Sequence, residues 1–316
     1  MGGKLFLVSH LFDDNERLDK TTFNNVVSFL TSKLSDYNVK HKVVPYITEK
    51  TTFGDIDIII EPTDINILRT IVGQHVPHLR NSNIHSFLYK HKYQIDFIFA
   101  EKEKFDMTSF YYGYNDFAWI ILKLIERHNN YIMKDTGLYY KYHSNYKDHL
   151  IFLTDDPCDI LKICQLDPEI YKLGFETYSD MFDYISNCPT FSSSIYALEN
   201  MSHNNRKVYK KRKTYKELMK WFDKHNIPEF IPGKLISARV KFSNIVEHQI
   251  SQIEDEYASK MSFKQSFNGN IVNEITGLKH HELGKFMAYI RKKYTDEELI
   301  VNAINLLKAE FNKGNM

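Results

Sequence analysis

At 316 residues, with 43% hydrophobic and 14% aromatic content, the chain has ample material for a packed core and a length comfortable for two domains. Its 41 lysines and arginines stand against 40 aspartates and glutamates, so the net charge of +1 gives no sign of a nucleic-acid partner, and only local clustering can. Three cysteines (Cys158, Cys164, Cys188) without C-x-x-C spacing argue against a disulfide framework or a zinc site, no apolar stretch approaches the roughly 20 residues of a membrane span, and no signal-peptide core opens the chain.

A reducing cytoplasm fits that cysteine usage, and no membrane partner is expected. The richness in Asn, Lys, Ile, Tyr and Phe, with only 12 Gly and 8 Pro, is what AT-rich coding DNA produces, as in a virus, a phage or an AT-rich microbe. For a virus or phage the location becomes the host cytoplasm.

In chain order, Asp19 or Thr21 is placed to cap a helix whose apolar face is Phe23, Val26, Val27, Leu30 and Leu34. A strand is expected over roughly Lys40 to Ile47. Next comes Thr51-Thr52-Phe53-Gly54-Asp55-Ile56-Asp57-Ile58-Ile59-Ile60, an apolar strand pattern that Glu61-Pro62 ends. Side chains alternate along a strand, so Asp55 and Asp57 emerge on one face. Two neighbouring carboxylates in an apolar strand are costly to desolvate and repel one another, so a compensating cation is expected. A hard ion such as Mg²⁺ suits them. Thr63 or Asp64 then caps a helix from Ile65 to Val76, which Pro77 closes. Residues 84–99 read as a hairpin or strand pair. Its second member, Tyr93-Gln94-Ile95-Asp96-Phe97-Ile98-Phe99, again sets one carboxylate in an apolar strand.

From about residue 105 the pattern turns helical, with Phe117 to Ile125 strongly apolar. Asp135-Thr136-Gly137 reads as a turn before a short strand, and helices are expected over Asp159 to Cys164 and Ser179 to Ile185. The densest basic run is Arg206-Lys207-Val208-Tyr209-Lys210-Lys211-Arg212-Lys213-Thr214-Tyr215-Lys216, which leads into an amphipathic helix. Asn226 to Gly233 is the best linker. Beyond it come one helical pattern over Lys234 to Tyr257, a Thr276-Gly277-Leu278 break before another helix, and a last helix over Asp296 to Phe311.

Two-metal nucleotidyl transfer needs carboxylates that hold two divalent ions roughly 3.5–4 Å apart. Asp55 and Asp57 can bridge both, and Asp96 can complete the one nearer the nucleophile. The plainer reading makes Asp55 a turn cap, Asp57 a strand-edge residue and Asp96 a partner of a lysine. Cations near aromatics in the basic run suit backbone contact and base stacking on a single strand, against the plainer reading of a solvated helix face. Tyr111, Tyr112, Tyr114 and Trp119 have the same two options, a base platform or core.

Phe53-Gly54-Asp55-Ile56-Asp57-Ile58-Ile59-Ile60 resembles the metal-binding strand of the DNA polymerase β-type nucleotidyltransferase superfamily, which includes poly(A) polymerases and CCA-adding enzymes. Asp96 in Gln94-Ile95-Asp96-Phe97 matches the third carboxylate of that pattern. The layout also resembles uncharacterised nucleotidyltransferase-like proteins of large phages and giant viruses, through Tyr112 to Asp116, Gly137-Leu138-Tyr139 and the basic run. The stretch Gly277 to Gly284 is similar to the start of a C-terminal helix in bacterial-type poly(A) polymerases. One departure stands out. The Gly-Ser that usually holds the β- and γ-phosphates about ten residues before the acidic strand is absent, and Val44-Pro45-Tyr46 occupies its place.

The resemblance implies an α+β chain, with a small mixed-sheet nucleotidyltransferase core (1–105), a helical domain with the basic segment (106–230) and a C-terminal helical acceptor-binding domain (231–316). It implies Asp55, Asp57 and Asp96 as catalytic and metal-binding residues, Mg²⁺ or Mn²⁺ as cofactor and an NTP as substrate. Lys50, Thr51, Thr52 and Gly54 are the nucleotide-binding candidates. Arg206, Lys207, Lys210, Lys211, Arg212 and Lys213 are the nucleic-acid-binding candidates. The expected reaction adds a nucleoside monophosphate, AMP from ATP, to an RNA 3′-hydroxyl. The alternatives are a transferase that modifies a protein or small molecule, and a non-catalytic nucleic-acid-binding descendant of the fold.

Overall fold

The computed structural model describes Phe6, residues 17–230, Leu235 and residues 237–293. The expected helix over Asp296 to Phe311 and the end of the Asn226 to Gly233 linker lie outside the described residues. The chain divides into two compact units, Met1–Val246 and Glu247–Met316.

In the first unit, β1 (Leu18–Asp19) runs straight into α1 (Lys20–Asp36). Asp19 takes the cap, its carboxylate accepting the Thr22 amide at 2.7 Å. Phe23, Val26, Leu30 and Leu34 recur on one face and are buried. The next strand, β2 (His41–Val43), is shorter than the sequence pattern suggests. Pro45 has no amide to offer a ladder. Two strands follow: β3 (Thr52–Phe53), which pairs back with β1, and β4 (Asp55–Ile60). After them α2 (Ile65–Val72) is capped by Asp64 on the Asn66 amide at 2.9 Å. This helix stops at Gly73, φ 119°, rather than running to Pro77, because the glycine takes a conformation closed to the helix.

Three antiparallel strands complete a five-stranded sheet: β5 (His78–Asn81), β6 (Ile84–Tyr89) and β7 (Tyr93–Phe99). The order is β2-β4-β7-β6-β5, and only β4 and β7 run parallel. The sheet is therefore mixed, as an α+β chain requires. One of its faces carries Ile56, Ile58, Ile60, Ile95 and Phe97, and these pack under α1 and α2 in one core. Full burial of each is worth about 1.5–3 kcal/mol. The other face is divided. Its first half carries Asp55, Asp57, Gln94 and Asp96, while its second half carries Ile59 and Ile98, packed against Val44 and Phe105.

Phe105 opens α3 (Phe105–Tyr112), which is followed by α4 (Phe117–Asn129). Around the Asp135-Thr136 turn the chain builds a three-stranded antiparallel meander, larger than the single short strand the sequence suggests: β8 (Tyr131–Lys134), β9 (Gly137–Ser144) and β10 (Lys147–Thr154). Five short helices follow, α5 (Pro157–Ile163), α6 (Pro168–Leu173), α7 (Tyr178–Ser186), α8 (His203–Tyr209) and α9 (Lys213–Lys224). The expected single pattern over Lys234 to Tyr257 is two helices, α10 (Ala238–Lys241) and α11 (Ser243–Ser266), interrupted at Phe242. In the second unit, α12 (Gly269–Thr276) and α13 (His280–Lys293) enclose Phe267, Val272, Phe286 and Ile290. Gly277, φ 72°, makes the left-handed turn between them. Among the described residues no helix is long and apolar enough to cross a membrane.

Candidate active site

The parallel pairing of β4 with β7 sets Asp57 directly opposite Asp96 and Asp55 opposite Gln94. On the far side of β7, Ser86 of β6 lies opposite Asp96. Carboxylate oxygens of Asp55, Asp57 and Asp96 come within 4.8 Å of one another, and all three residues are half-buried. The cluster thus rests on strand register. A slip of one residue in either strand would turn its acids into the helix-covered core.

Asp96 is fixed from two sides. The Gln94 side-chain amide donates to both its oxygens, at 3.0 and 2.9 Å, and the Ser86 hydroxyl hydrogen-bonds it as well. Burial nevertheless pushes the Asp96 pKa up to about 6, with Asp55 adding repulsion and the Ser86 and Gln94 bonds pulling the other way. Asp57 is driven well above the ordinary carboxylate range, first by burial, then by Asp55 and Asp96, and Lys50 only partly offsets this. Three acids in one half-buried spot hold more negative charge than the protein groups around them relieve. Hard oxygen donors in that arrangement fit a divalent ion such as Mg²⁺ or Mn²⁺.

Among the described residues, Lys50 is a side-chain cation whose charge reaches this cluster. Burial lowers its pKa, Asp55 and Asp57 oppose that, and Arg17 and Lys213 push it further down. Its ammonium lies 4.7 Å above the Phe53 ring, which itself stacks on Phe23 at 3.8 Å in the core. Thr51 and Thr52 are exposed, and Gly54 is buried between β3 and β4. The Thr52 carbonyl accepts from Arg17 at 3.2 Å.

The helical part holds the loop that carries Lys50. Thr48 donates its amide (3.2 Å) and its hydroxyl (3.1 Å) to the Phe175 carbonyl. The Glu49 amide bonds the Glu176 carbonyl at 2.8 Å, and the Glu49 carboxylate accepts the Tyr178 amide at 3.4 Å. Pro45 offers its carbonyl to the Tyr114 amide at 2.8 Å.

The basic run divides into two groups. Arg212 pairs with the buried Asp116, and its guanidinium lies 5.4 Å over the Tyr209 ring. Arg206 donates to the Met201 carbonyl at 3.3 Å. Tyr209 is half-buried and stacks on Trp119 at 3.8 Å, and Tyr215 is buried with its hydroxyl on the Tyr196 carbonyl, so both aromatics of this run already have partners within the protein. Lys207, Lys210 and Lys211 are exposed. Lys213 lies 5.3 Å over the Tyr178 ring, and its charge acts on Lys50, which links the basic run to the acidic cluster.

Sequence reasoning missed Ser86 and Gln94. Gln94 carried a signal, because it shares Asp96's parity in an otherwise apolar strand. Ser86 carried none, since its role depends on which residue of β7 it meets.

No family model and no curated protein matches the sequence. Among solved structures, a ternary gap complex of Leishmania infantum polymerase beta is similar at 13% identity and a TM-score of 0.35, over 43% of this chain and 55% of that one. The ternary P/T complex of the same polymerase is similar at 11% identity and a TM-score of 0.37, over 52% and 78%. The chain thus spans about half the length of the first of these.

Proposed function

We propose that the chain is a two-metal nucleotidyltransferase that transfers AMP from ATP to the 3′-hydroxyl of an RNA. The observation that carries this reading is the meeting of Asp55, Asp57 and Asp96 on a parallel strand pair, with the last two pushed toward protonation first by burial and then by the charge of Asp55. Divalent ions bound there would neutralise the triphosphate and make the attacking hydroxyl a better nucleophile. In the reaction the 3′-oxygen bonds to the α-phosphorus, the bond to pyrophosphate breaks, and the hydroxyl proton is lost.

Asp55 and Asp57 are assigned to both ions, and Asp96 to the ion at the nucleophile. Gln94 and Ser86 keep Asp96 aimed at that place. Lys50, with Thr51, Thr52 and Gly54, takes the triphosphate role that a Gly-Ser helix start would fill, and Lys213 adds a second cation from the helical side. Lys207, Lys210 and Lys211 give the RNA backbone an exposed basic surface, while Arg206 and Arg212 are held by the Met201 carbonyl and by Asp116.

The test is incubation with each labelled NTP, Mg²⁺ or Mn²⁺, and a pool of RNA, tRNA and protein. ATP should label RNA. Asp57→Asn should reduce this by more than about a hundredfold, since even outer-shell partners of a metal are worth 10–100-fold. Mn²⁺ titration followed by electron paramagnetic resonance should show ion binding lost in the same variant. Label on protein, or full incorporation by Asp57→Asn, would overturn the proposal.

A further inference from the structure

Around the rim of the sheet from the acids lies a groove of about 610 Å³. One wall is a single stripe of α1 that includes Asn25 and Phe29, and the other is the turn between β6 and β7. That turn presents Tyr89, Lys90, Lys92 and Tyr93 to the groove, and no carboxylate is among its lining residues. Phe29 is 39% exposed, an unusual place for a phenylalanine on the outside of a capped helix. Its ring centroid lies 6.3 Å from that of Tyr89 with the planes inclined by 25°, and the Lys90 ammonium stands 5.3 Å from the centroid of the same tyrosine. The site therefore combines the exposed Phe29 and the half-buried Tyr93 with two exposed lysines, over a buried Tyr89.

We infer that this groove binds single-stranded nucleic acid, with bases against Phe29 and Tyr93 and phosphates against Lys90 and Lys92. Flat rings beside cations, with no base-reading carboxylates, suit a strand held by stacking and charge rather than by sequence. A volume of this size lies within the range that admits a ligand, and the lysines match a polyanion. Tyr93 stands three residues before Asp96 on β7, about 10 Å along the strand but on its opposite face, so a nucleic acid joining the two must also turn the rim and needs more than about three nucleotides at 3.4 Å each. The inference rests on the proposed function in placing a 3′ end at the acids. It adds that the strand behind that end passes round the rim into the groove, apart from the 206–216 segment.

The test uses the full chain and a fluorescent single-stranded oligo(A) RNA, followed by anisotropy in EDTA without NTP. Lys90→Glu/Lys92→Glu should weaken binding at least about tenfold. It should also flatten the slope of log K against log salt by at least about 1.4, at 0.7 per phosphate contact. Phe29→Ala should weaken binding at least about fivefold, the lower end for one lost stack. Both substitutions are at exposed positions, and unfolding midpoints should match the wild type. Wild-type affinity and slope in these variants would overturn the inference, as would competition by a polyglutamate peptide equal to that by unlabelled oligo(A). Because the assay needs neither metal nor NTP, failed nucleotide transfer with groove-dependent binding would sink only the proposed reaction. Transfer with groove-independent binding would sink only the groove.

Discussion

Replacing Asp96 with asparagine should stabilise the metal-free protein at neutral pH, although it removes a candidate catalytic group. The Asp96 pKa rises from the ordinary 3.8 to about 6 on folding, chiefly through burial and then through Asp55. At 1.36 kcal/mol per pH unit this corresponds to about 3 kcal/mol of penalty on the ionised form. An acid with a raised pKa holds its proton more tightly in the folded state. The stability it gives is therefore full below about 3.8 and is lost as pH rises through about 6. At pH 8 the wild type carries the whole penalty, and the asparagine carries none. Against that gain stands a weakened bond from Gln94 or Ser86, about 1 kcal/mol, because asparagine offers one acceptor oxygen where the carboxylate offers two. The net is about 1–2 kcal/mol, or about 2–8 °C in Tm for a unit the size of Met1–Val246. Thermal unfolding in EDTA at pH 8 measures it directly. Saturating Mg²⁺ should reverse the order, since an ion at a hundred times its Kd adds about 2.7 kcal/mol to the wild type. An asparagine variant less stable than wild type in EDTA, or a wild type whose Tm holds flat between pH 4 and 6, would refute the claim that the acids are under-compensated.

Arg212→Ala should cost about 1–3 kcal/mol, measured by urea unfolding, because it strands the buried Asp116, discounted for the guanidinium's partial exposure. Lys210→Ala/Lys211→Ala should leave that stability unchanged but reduce the salt slope of RNA binding by about 1.4. Gly113→Ala should lower Tm by an amount equivalent to about 1–3 kcal/mol, since a Cβ there would sit 2.5 Å from the Ser109 carbonyl and 2.9 Å from Pro45 Cγ. The displaced Pro45 should also reduce nucleotide incorporation through the loop that carries Lys50.

Local rules reached a good part of this. Period-two alternation put Asp55 and Asp57 on one face, and the lone acid in a second apolar strand singled out Asp96. The caps at Asp19 and Asp64 were both among the residues the sequence offered. Pairing decided what remained hidden. Nothing in residues 51–60 says that Asp57 faces Asp96 rather than Gln94, because that is a register between residues 39 positions apart in sequence. The basic run misled in a similar way. Its charge density is visible, but Asp116, which claims Arg212, lies 96 residues away. Trp119 likewise stacks on Tyr209 from a distant helix. The meander of β8 to β10 was under-read because its first strand is only four residues long and follows directly on α4.

The fastening of Thr48 and Glu49 to Phe175, Glu176 and Tyr178 bears on how this protein can be dissected. A fragment ending near residue 105 would keep all three carboxylates and the whole five-stranded sheet, yet it would strip the loop before Lys50 of these partners, about 127 residues downstream. Such a minimal piece would retain the acids without the restraint on the lysine that faces them. The acid-bearing sheet is thus modular by sequence position but not mechanically, and strain applied at residues 175–178 would be felt first at Thr48 and Glu49, next to Lys50.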